Sequence, residues 1–169
     1  TIDAFFRYAT DITVILVLPE SDVDTWQTLC KRFNYDKAIF LQTGGETRFQ
    51  SVRNGLQKIE GDGLVAIHDG VRPLVNEKII AESFRLAKNH NTAIAAVSMK
   101  DSIRQTQDGA TKAVDRSQYK LIQTPQTSSV RLIKDAYQLD EDASLTDDAS
   151  VAEKAGIKIT LFEGSYENI

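Results

Sequence analysis

The alternation of short apolar runs with amphipathic segments limits the fold of this chain more than any other feature. The apolar runs, each short enough for a buried strand, lie at residues 12–18, 37–41, 63–67 and 92–98. Segments with apolar residues at helical spacing alternate with them, at residues 1–9, 21–33, 46–59 and 76–88. Strands joined by helices form a parallel sheet that is covered on both faces. The sequence therefore predicts an α/β fold with a doubly wound, mostly parallel, Rossmann-like sheet.

The pattern changes after residue 100. Residues 100–123 have no helical period and are typical of two extended arms around Asp108-Gly109, a strong hairpin turn signal. A polar hairpin of this size cannot bury much of its own surface, so it needs a partner surface, of which a second subunit is the simplest. The alternative is a flexible excursion. We predict a single domain over residues 1–169, with an arm at about 100–123 that holds a homodimer together.

The alternation of helix and strand resumes after the arm. Ser128 can cap one helix. Thr146 can cap another, with Asp147 and Asp148 in its first turn, where the helix dipole favours acids. Residues 157–162 are typical of a last strand.

The composition argues against several classes of function. The chain has 169 residues, 41% of them apolar, which suffices for one domain with a core. A net charge of −4 without a basic run argues against a nucleic-acid partner. No apolar run approaches the roughly 20 residues that a membrane span needs, so no membrane partner is expected. The one cysteine, Cys30, lies on an apolar helical stripe and cannot form an internal disulfide, so we expect a core thiol in a cytoplasmic protein.

One strand end carries residues suited to ligand binding. Residues 65–67 are typical of a buried strand, and Pro73 prevents that strand from continuing. Asp69 and Arg72 therefore follow the carboxyl end of the strand, where open α/β sheets bind ligands. A carboxylate there can hold a hard cation such as Mg²⁺, and an arginine can face a phosphate. The alternative is a loop in which the pair only fixes a turn.

A second candidate is the glycine pair between a strand and a helix. Gly44 and Gly45 let backbone groups approach a ligand closely, although the dinucleotide fingerprint G-x-G-x-x-G is absent. A small base could be read by backbone groups together with the Ser51 hydroxyl, while a plain glycine turn is the commoner outcome. His68, at the end of a buried strand, is expected to be a structural histidine rather than a base.

Several motifs occur in an order that resembles one enzyme family. They are Gly44-Gly45-x-x-Arg48-x-x-Ser51-Val52, His68-Asp69-x-x-Arg72-Pro73, Asp101-Ser102, Val114-Asp115-Arg116, Gln123-Thr124-Pro125-Gln126, Thr146-Asp147-Asp148-Ala149-Ser150 and Gly164-x-x-x-Asn168-Ile169. This ordered set covers essentially the whole chain and resembles the 2-C-methyl-D-erythritol 4-phosphate cytidylyltransferases of the non-mevalonate isoprenoid pathway. Ribitol 5-phosphate cytidylyltransferases share many of these motifs and are an alternative.

The resemblance implies a nucleotidyltransferase that moves CMP from CTP to a sugar phosphate, releases pyrophosphate and uses Mg²⁺ as its divalent cation. It assigns contacts with CTP to Gly44, Gly45, Glu46, Ser51, Asp69 and Gly70. It assigns contacts with the sugar phosphate to Arg72, Ser102, Arg116, Thr124 and Thr146. Asp69 would hold the metal, and Asp69, Arg72 and Arg116 would be the catalytic residues.

The arm and the chain ends complete the comparison with the family. The resemblance implies that Ser102, where the family usually has Thr, and Arg116 reach the sugar phosphate bound to the other subunit. The family's opening strand and its glycine-rich loop, with an Arg and a Lys, are not in this sequence, nor is the Lys that follows the Asn-Ile pair. We therefore expect the 169-residue chain alone to be inactive. A nucleotide-binding or dimerisation module without catalysis is the remaining alternative.

Overall fold

Six α-helices and eight strands alternate along residues 1–169, all of which the computed structural model describes. The helices are α1 (Ile2–Tyr8), α2 (Glu20–Arg32), α3 (Arg48–Gln57), α4 (Glu77–His90), α5 (Val130–Ala136) and α6 (Asp148–Lys154). The strands are β1 (Val14–Leu18), β2 (Ile39–Thr43), β3 (Leu64–Ile67), β4 (Thr92–Ser98), β5 (Arg104–Gln107), β6 (Ala110–Ala113), β7 (Lys120–Ser129) and β8 (Leu161–Glu163). The predicted strands and helices up to residue 98 all occur, each with its ends within two residues of the prediction. None of the helices combines the length and the apolar character that crossing a membrane requires.

The larger sheet is built around β7. This strand pairs antiparallel with β3 on one side and with β4 on the other, and β8 extends the sheet parallel to β4. β1 and β2 form a separate parallel pair, while β5 and β6 form the predicted hairpin. The turn of that hairpin has positive φ at Asp108 and Gly109, as the Asp-Gly signal predicts. The predicted α/β fold is confirmed, with an antiparallel strand at the centre of its larger sheet.

β7 is not predicted by the sequence pattern. The pattern assigns residues 120–123 to the arm and Ser128 to a helix cap, whereas Ser128 lies in β7 opposite Val65, and α5 begins at Val130. Residues 123–128 of this strand are all buried although most are polar. Their polar groups bond within the protein, so no apolar period reveals the strand. The arm itself therefore ends before Lys120.

Two helix caps also differ from the prediction. α2 begins at Glu20 behind Pro19, and the Ser21 hydroxyl contacts its neighbour Asp22 instead of capping the helix. α6 is capped by Asp147 rather than Thr146, because the Asp147 carboxylate accepts the Ser150 N–H and the Ser150 hydroxyl reaches back to the Asp147 backbone. This reciprocal arrangement satisfies two backbone donors at the helix start.

Two apolar clusters form the core. One joins α3, α5 and α6 around Phe49, Ile133, Tyr137 and Val151, and the other joins α1 and α4 to β4 around Phe5, Ile80 and Ala95. A predominantly apolar cavity of about 810 Å³ lies between β1 and β3. It is lined by every residue of β1, by residues 65–67 of β3 and by the apolar face of α2, including Cys30. Cys30 is therefore half-buried on a cavity wall rather than packed in the core as predicted.

Candidate active site

The carboxylate of Asp69 lies between two arginine side chains just beyond the end of β3. Arg72 Nε is 3.3 Å from Asp69 Oδ2, and Arg48 Nη2 is 3.4 Å from Asp69 Oδ1. Arg72 also donates to the carbonyl oxygen of Asn168 at 2.9 Å, which holds its guanidinium against the last loop of the chain. The side chains of Asp69 and Arg72 are 30% and 24% exposed. The strand end thus presents a solvent-accessible carboxylate and an arginine together, as the sequence predicts.

Arg48, to which the sequence analysis gave no role, connects this carboxylate to the core. Its guanidinium binds Asp148 through two hydrogen bonds, Nη2 to Oδ2 at 2.7 Å and Nη1 to Oδ1 at 3.2 Å. Partial burial opposes the charge of Arg48, but the hydrogen bond and the charge of Asp148 outweigh it and raise the arginine's pKa above its usual range. The Tyr137 hydroxyl donates to Asp148 Oδ1 at 2.5 Å. Burial and the neighbouring carboxylate raise the pKa of Tyr137, so its hydroxyl stays protonated.

His68 fixes the backbone of the Asp69 loop. Its Nε2 lies 3.1 Å from the Arg72 carbonyl oxygen, which can only accept, so Nε2 carries the ring proton. Its Nδ1 then accepts from the Thr124 hydroxyl at 3.0 Å, and the same hydroxyl oxygen accepts the Asp69 N–H at 3.1 Å. Burial lowers the pKa of His68, which favours this neutral form. The geometry agrees with a structural histidine.

The glycine loop between β2 and α3 is closed by side chains of α3. Ser51 Oγ accepts the Gly45 N–H at 3.0 Å, and Gln50 Oε1 accepts the Glu46 N–H at 3.1 Å. A Cβ at Gly44 would lie 2.7 Å from Ser51 Oγ, and one at Gly45 would lie 2.4 Å from Gln50 Cβ. A side chain at Gly44 would therefore displace the Ser51 hydroxyl, and one at Gly45 would displace Gln50, so the Ser51 hydroxyl shapes the loop that was predicted to contact cytosine.

The other predicted site residues fall into two groups. Thr124 is 3% exposed, and its hydroxyl binds the backbone of the Asp69 loop. Gly70, the next residue of that loop, is exposed, and so is Thr146, which lies just before α6. Ser102 and Arg116 are exposed on the arm, where Arg116 donates to the Lys100 carbonyl. No hydrogen bond or ion pair joins either arm residue to Asp69 or Arg72 within the chain. The chain therefore brings Asp69 and Arg72 together but not Arg116.

The structure contains no group of three or more His, Cys, Asp or Glu side chains that could hold a metal ion by themselves. Asp148 already pairs with Arg48, so Asp69 is the carboxylate with exposed surface at this strand end. Mg²⁺ in phosphoryl-transfer sites is usually held by one or two carboxylates together with substrate phosphates and water. The residues present thus fit a divalent cation only if other groups, such as phosphates and water, supply most of its ligands.

The fold and this site describe an enzyme of the nucleotidyltransferase class, with arginines and an acid at a strand end and a glycine loop at the neighbouring βα connection. A family model described as 2-C-methyl-D-erythritol 4-phosphate cytidylyltransferase matches residues 1–169. The chain belongs to that family.

Individual relatives agree with this assignment. The protein of that name from Bacteroides thetaiotaomicron is 41% identical over 169 residues, which cover 100% of this chain and 77% of the relative. The one from Geobacillus kaustophilus is 36% identical over 172 residues, covering 100% of this chain and 75% of the relative. The crystal structure of 4-diphosphocytidyl-2C-methyl-D-erythritol synthase from Anaerococcus prevotii superposes with a TM-score of 0.88 at 28% identity, over 100% of this chain and 77% of that one.

Proposed function

We propose that this protein transfers CMP from CTP to 2-C-methyl-D-erythritol 4-phosphate and releases pyrophosphate, a step in isoprenoid precursor synthesis. The observation that carries the proposal is the pairing of Asp69 with Arg72 at the end of β3, in a chain that matches the family model along its whole length. The reaction needs positioned charges more than a nucleophilic side chain. The pair supplies charges of both signs at one place.

The acidic and basic residues of the site have different roles in this proposal. Asp69 would hold a divalent cation on the triphosphate, and that cation would offset charge on the reacting phosphates. Arg72, fixed by Asn168, faces the sugar phosphate whose oxygen attacks the α-phosphorus of CTP. The N–H groups of Gly45 and Glu46 donate to Ser51 and Gln50, so this loop contacts the cytosine through its backbone carbonyl groups. Pyrophosphate leaves from the opposite side of the α-phosphorus.

The proposal includes a homodimer whose arm completes the partner's site. Every residue of β5 and β6 is exposed, and Tyr119 and Leu121 expose apolar surface at the base of the arm. Such a hairpin gains stability when a second subunit covers it. Ser102 and Arg116 would then reach the sugar phosphate of the other subunit. The single domain with its arm, a cytoplasmic location and a divalent cation belong to the same proposal.

The test is an Asp69→Asn variant of the full gene product, compared with Asp62→Asn, which changes an exposed aspartate in the loop before β3. Pyrophosphate release is measured with CTP, Mg²⁺ and methylerythritol phosphate. We expect Asp69→Asn to lower kcat/KM at least about 10²-fold, because a preorganised charge at the reacting phosphate is lost. Equal activity of the two variants would contradict the role of Asp69. Faster turnover with ribitol 5-phosphate than with methylerythritol phosphate would contradict the proposed acceptor.

A further inference from the structure

A line of hydrogen bonds runs from the core to Asp69 through Tyr137, Asp148 and Arg48. We infer that Arg48 is a positioning residue that fixes the Asp69 carboxylate, and that the buried Asp148 and Tyr137 fix Arg48. The inference rests on the proposed function, in which Asp69 faces the reacting phosphates. It gives a role to Arg48, Asp148 and Tyr137, none of which is among the predicted substrate contacts.

The inner end of this line is rigid. The Asp148 side chain is 2% exposed, and its oxygens accept both guanidinium hydrogen bonds and the Tyr137 hydroxyl. The Tyr137 ring is 1% exposed and packs against Phe49 with 4.7 Å between ring centroids. Two parallel hydrogen bonds to a planar carboxylate set the orientation of the guanidinium as well as its position. Arg48 is therefore held in one orientation before any ligand arrives.

At the other end of this line, Arg48 contacts Asp69, whose position no helix or strand fixes. Asp69 lies in a loop without regular structure, and its carboxylate oxygens are approached separately, Oδ1 by Arg48 and Oδ2 by Arg72. Each arginine thus constrains one side of the carboxylate. Because Asp148 already neutralises Arg48, the charge of Asp69 is balanced within the chain mainly by Arg72. Fixing a ligand carboxylate from behind in this way commonly changes metal affinity or activity about 10–100-fold.

The competing explanation is that Arg48 and Asp148 only tie α3 to α6. That explanation predicts a loss of stability but no dependence on Asp69. The two explanations therefore differ in a double-mutant cycle, which measures whether one residue acts through another.

The first variant is Tyr137→Phe, which keeps the packed ring and removes only the hydroxyl. Its matched control is Tyr35→Phe, since the Tyr35 hydroxyl donates to Asp3 at 2.9 Å at an exposed position. In the full gene product we expect Tyr137→Phe to lower both kcat/KM and the affinity for Mn²⁺ in the presence of CTP, followed by electron paramagnetic resonance, about 10-fold. The control should change neither more than about two-fold.

The second variant is Arg48→Met, expected to lower the same two quantities about 10–100-fold, with Arg48→Lys between it and the unchanged protein. In an Asp69→Asn background, Arg48→Met should cost less than about two-fold in Mn²⁺ affinity. A full loss in that background would overturn the inference, since Arg48 would then act without Asp69. Because Arg48→Met leaves a buried carboxylate unpaired and could prevent folding, Arg48→Met with Asp148→Asn serves as the substitute.

A crystal structure separates this inference from the proposed function. If Arg48 positions Asp69, the Asp69 carboxylate of the Tyr137→Phe or Arg48→Met variant will be displaced or disordered. A carboxylate that stays within about 0.5 Å of its place would overturn the inference, whatever the activity. Displacement in a protein that transfers no CMP would instead support the positioning and reject the function.

Discussion

Nδ1 of His68 lies 3.0 Å from the hydroxyl oxygen of Thr124, and this contact joins the end of β3 to its antiparallel neighbour β7. The imidazole accepts a hydrogen bond from the Thr124 hydroxyl at Nδ1 and donates one from Nε2 to the Arg72 carbonyl. A second proton on the ring would have to displace the Thr124 hydroxyl proton. The Asp69 loop therefore depends on a neutral histidine.

Acid should consequently destabilise the protein through His68. Burial lowers the pKa of the folded state, so the unfolded state binds more protons once the pH falls below the ordinary histidine pKa of about 6.5. We expect the free energy of unfolding to fall between about pH 7 and pH 5, and His68→Gln to flatten this dependence. Urea unfolding at several pH values measures it. His90→Gln, at an exposed position, is the control, and equal slopes for both variants would contradict the prediction.

Gly45→Ala should destabilise the glycine loop. The new Cβ would lie 2.4 Å from Gln50 Cβ, so either the loop or the first turn of α3 must shift. Forcing a methyl group into such a space costs about 1–3 kcal/mol in unfolding free energy. Gly70→Ala is the matched control for stability, because nothing lies within 4 Å of its Cβ position. The melting temperatures of both variants are measured by thermal unfolding. Equal melting temperatures would show that the glycine loop accommodates a methyl group at residue 45.

Gln126→Leu should destabilise the junction of β7 with α6. The buried amide donates to Asp147 Oδ2 at 3.0 Å and accepts the Ala149 N–H at 2.7 Å. Leucine matches its size but leaves these partners unsatisfied, which we expect to cost about 2–3 kcal/mol. Gln138→Leu, at an exposed position, should stay within about 0.5 kcal/mol of the unchanged protein in the same urea experiment. Similar losses of unfolding free energy in the two variants would argue against a stabilising role for the Gln126 hydrogen bonds.

Removal of the hairpin should abolish the proposed dimer. Deleting residues 102–115 takes away both exposed strands, while the larger sheet keeps all its pairings. Light scattering should report the mass of one chain for the deletion and of two chains for the unchanged protein. A dimer that survives the deletion would place the main contact elsewhere.

Arg116 should act on the partner's site. Mixing an Arg116→Ala subunit with an Asp69→Asn subunit of the full gene product, each inactive alone, gives mixed dimers with one intact site. With random exchange, half of the dimers are mixed, so about a quarter of the original activity should return. Heterodimers that form without activity would show that Arg116 serves its own subunit.

The parts of this protein that the sequence predicts are those with a local pattern. The apolar run before Asp69 changes abruptly to polar residues, so the strand end and its carboxylate could be placed together. The partners Arg48 and Asp148 are 100 residues apart, and no spacing in one sequence indicates that they meet. Gln126 shows the same limit, because its burial depends on hydrogen bonds that only the folded chain supplies.

The cavity between β1 and β3 separates the layer of β1 and α2 from the rest of the protein, and we expect this layer to unfold locally more easily than the larger sheet. The backbone amides of β1 are paired with β2 alone, and neither β1 nor α2 contains a fully buried residue. Detaching this layer therefore exposes little surface that is now protected, so its amide hydrogens should exchange with deuterium well before those of β4 and β7. A molecule that bound in the cavity would be detected first as slower exchange at residues 14–18.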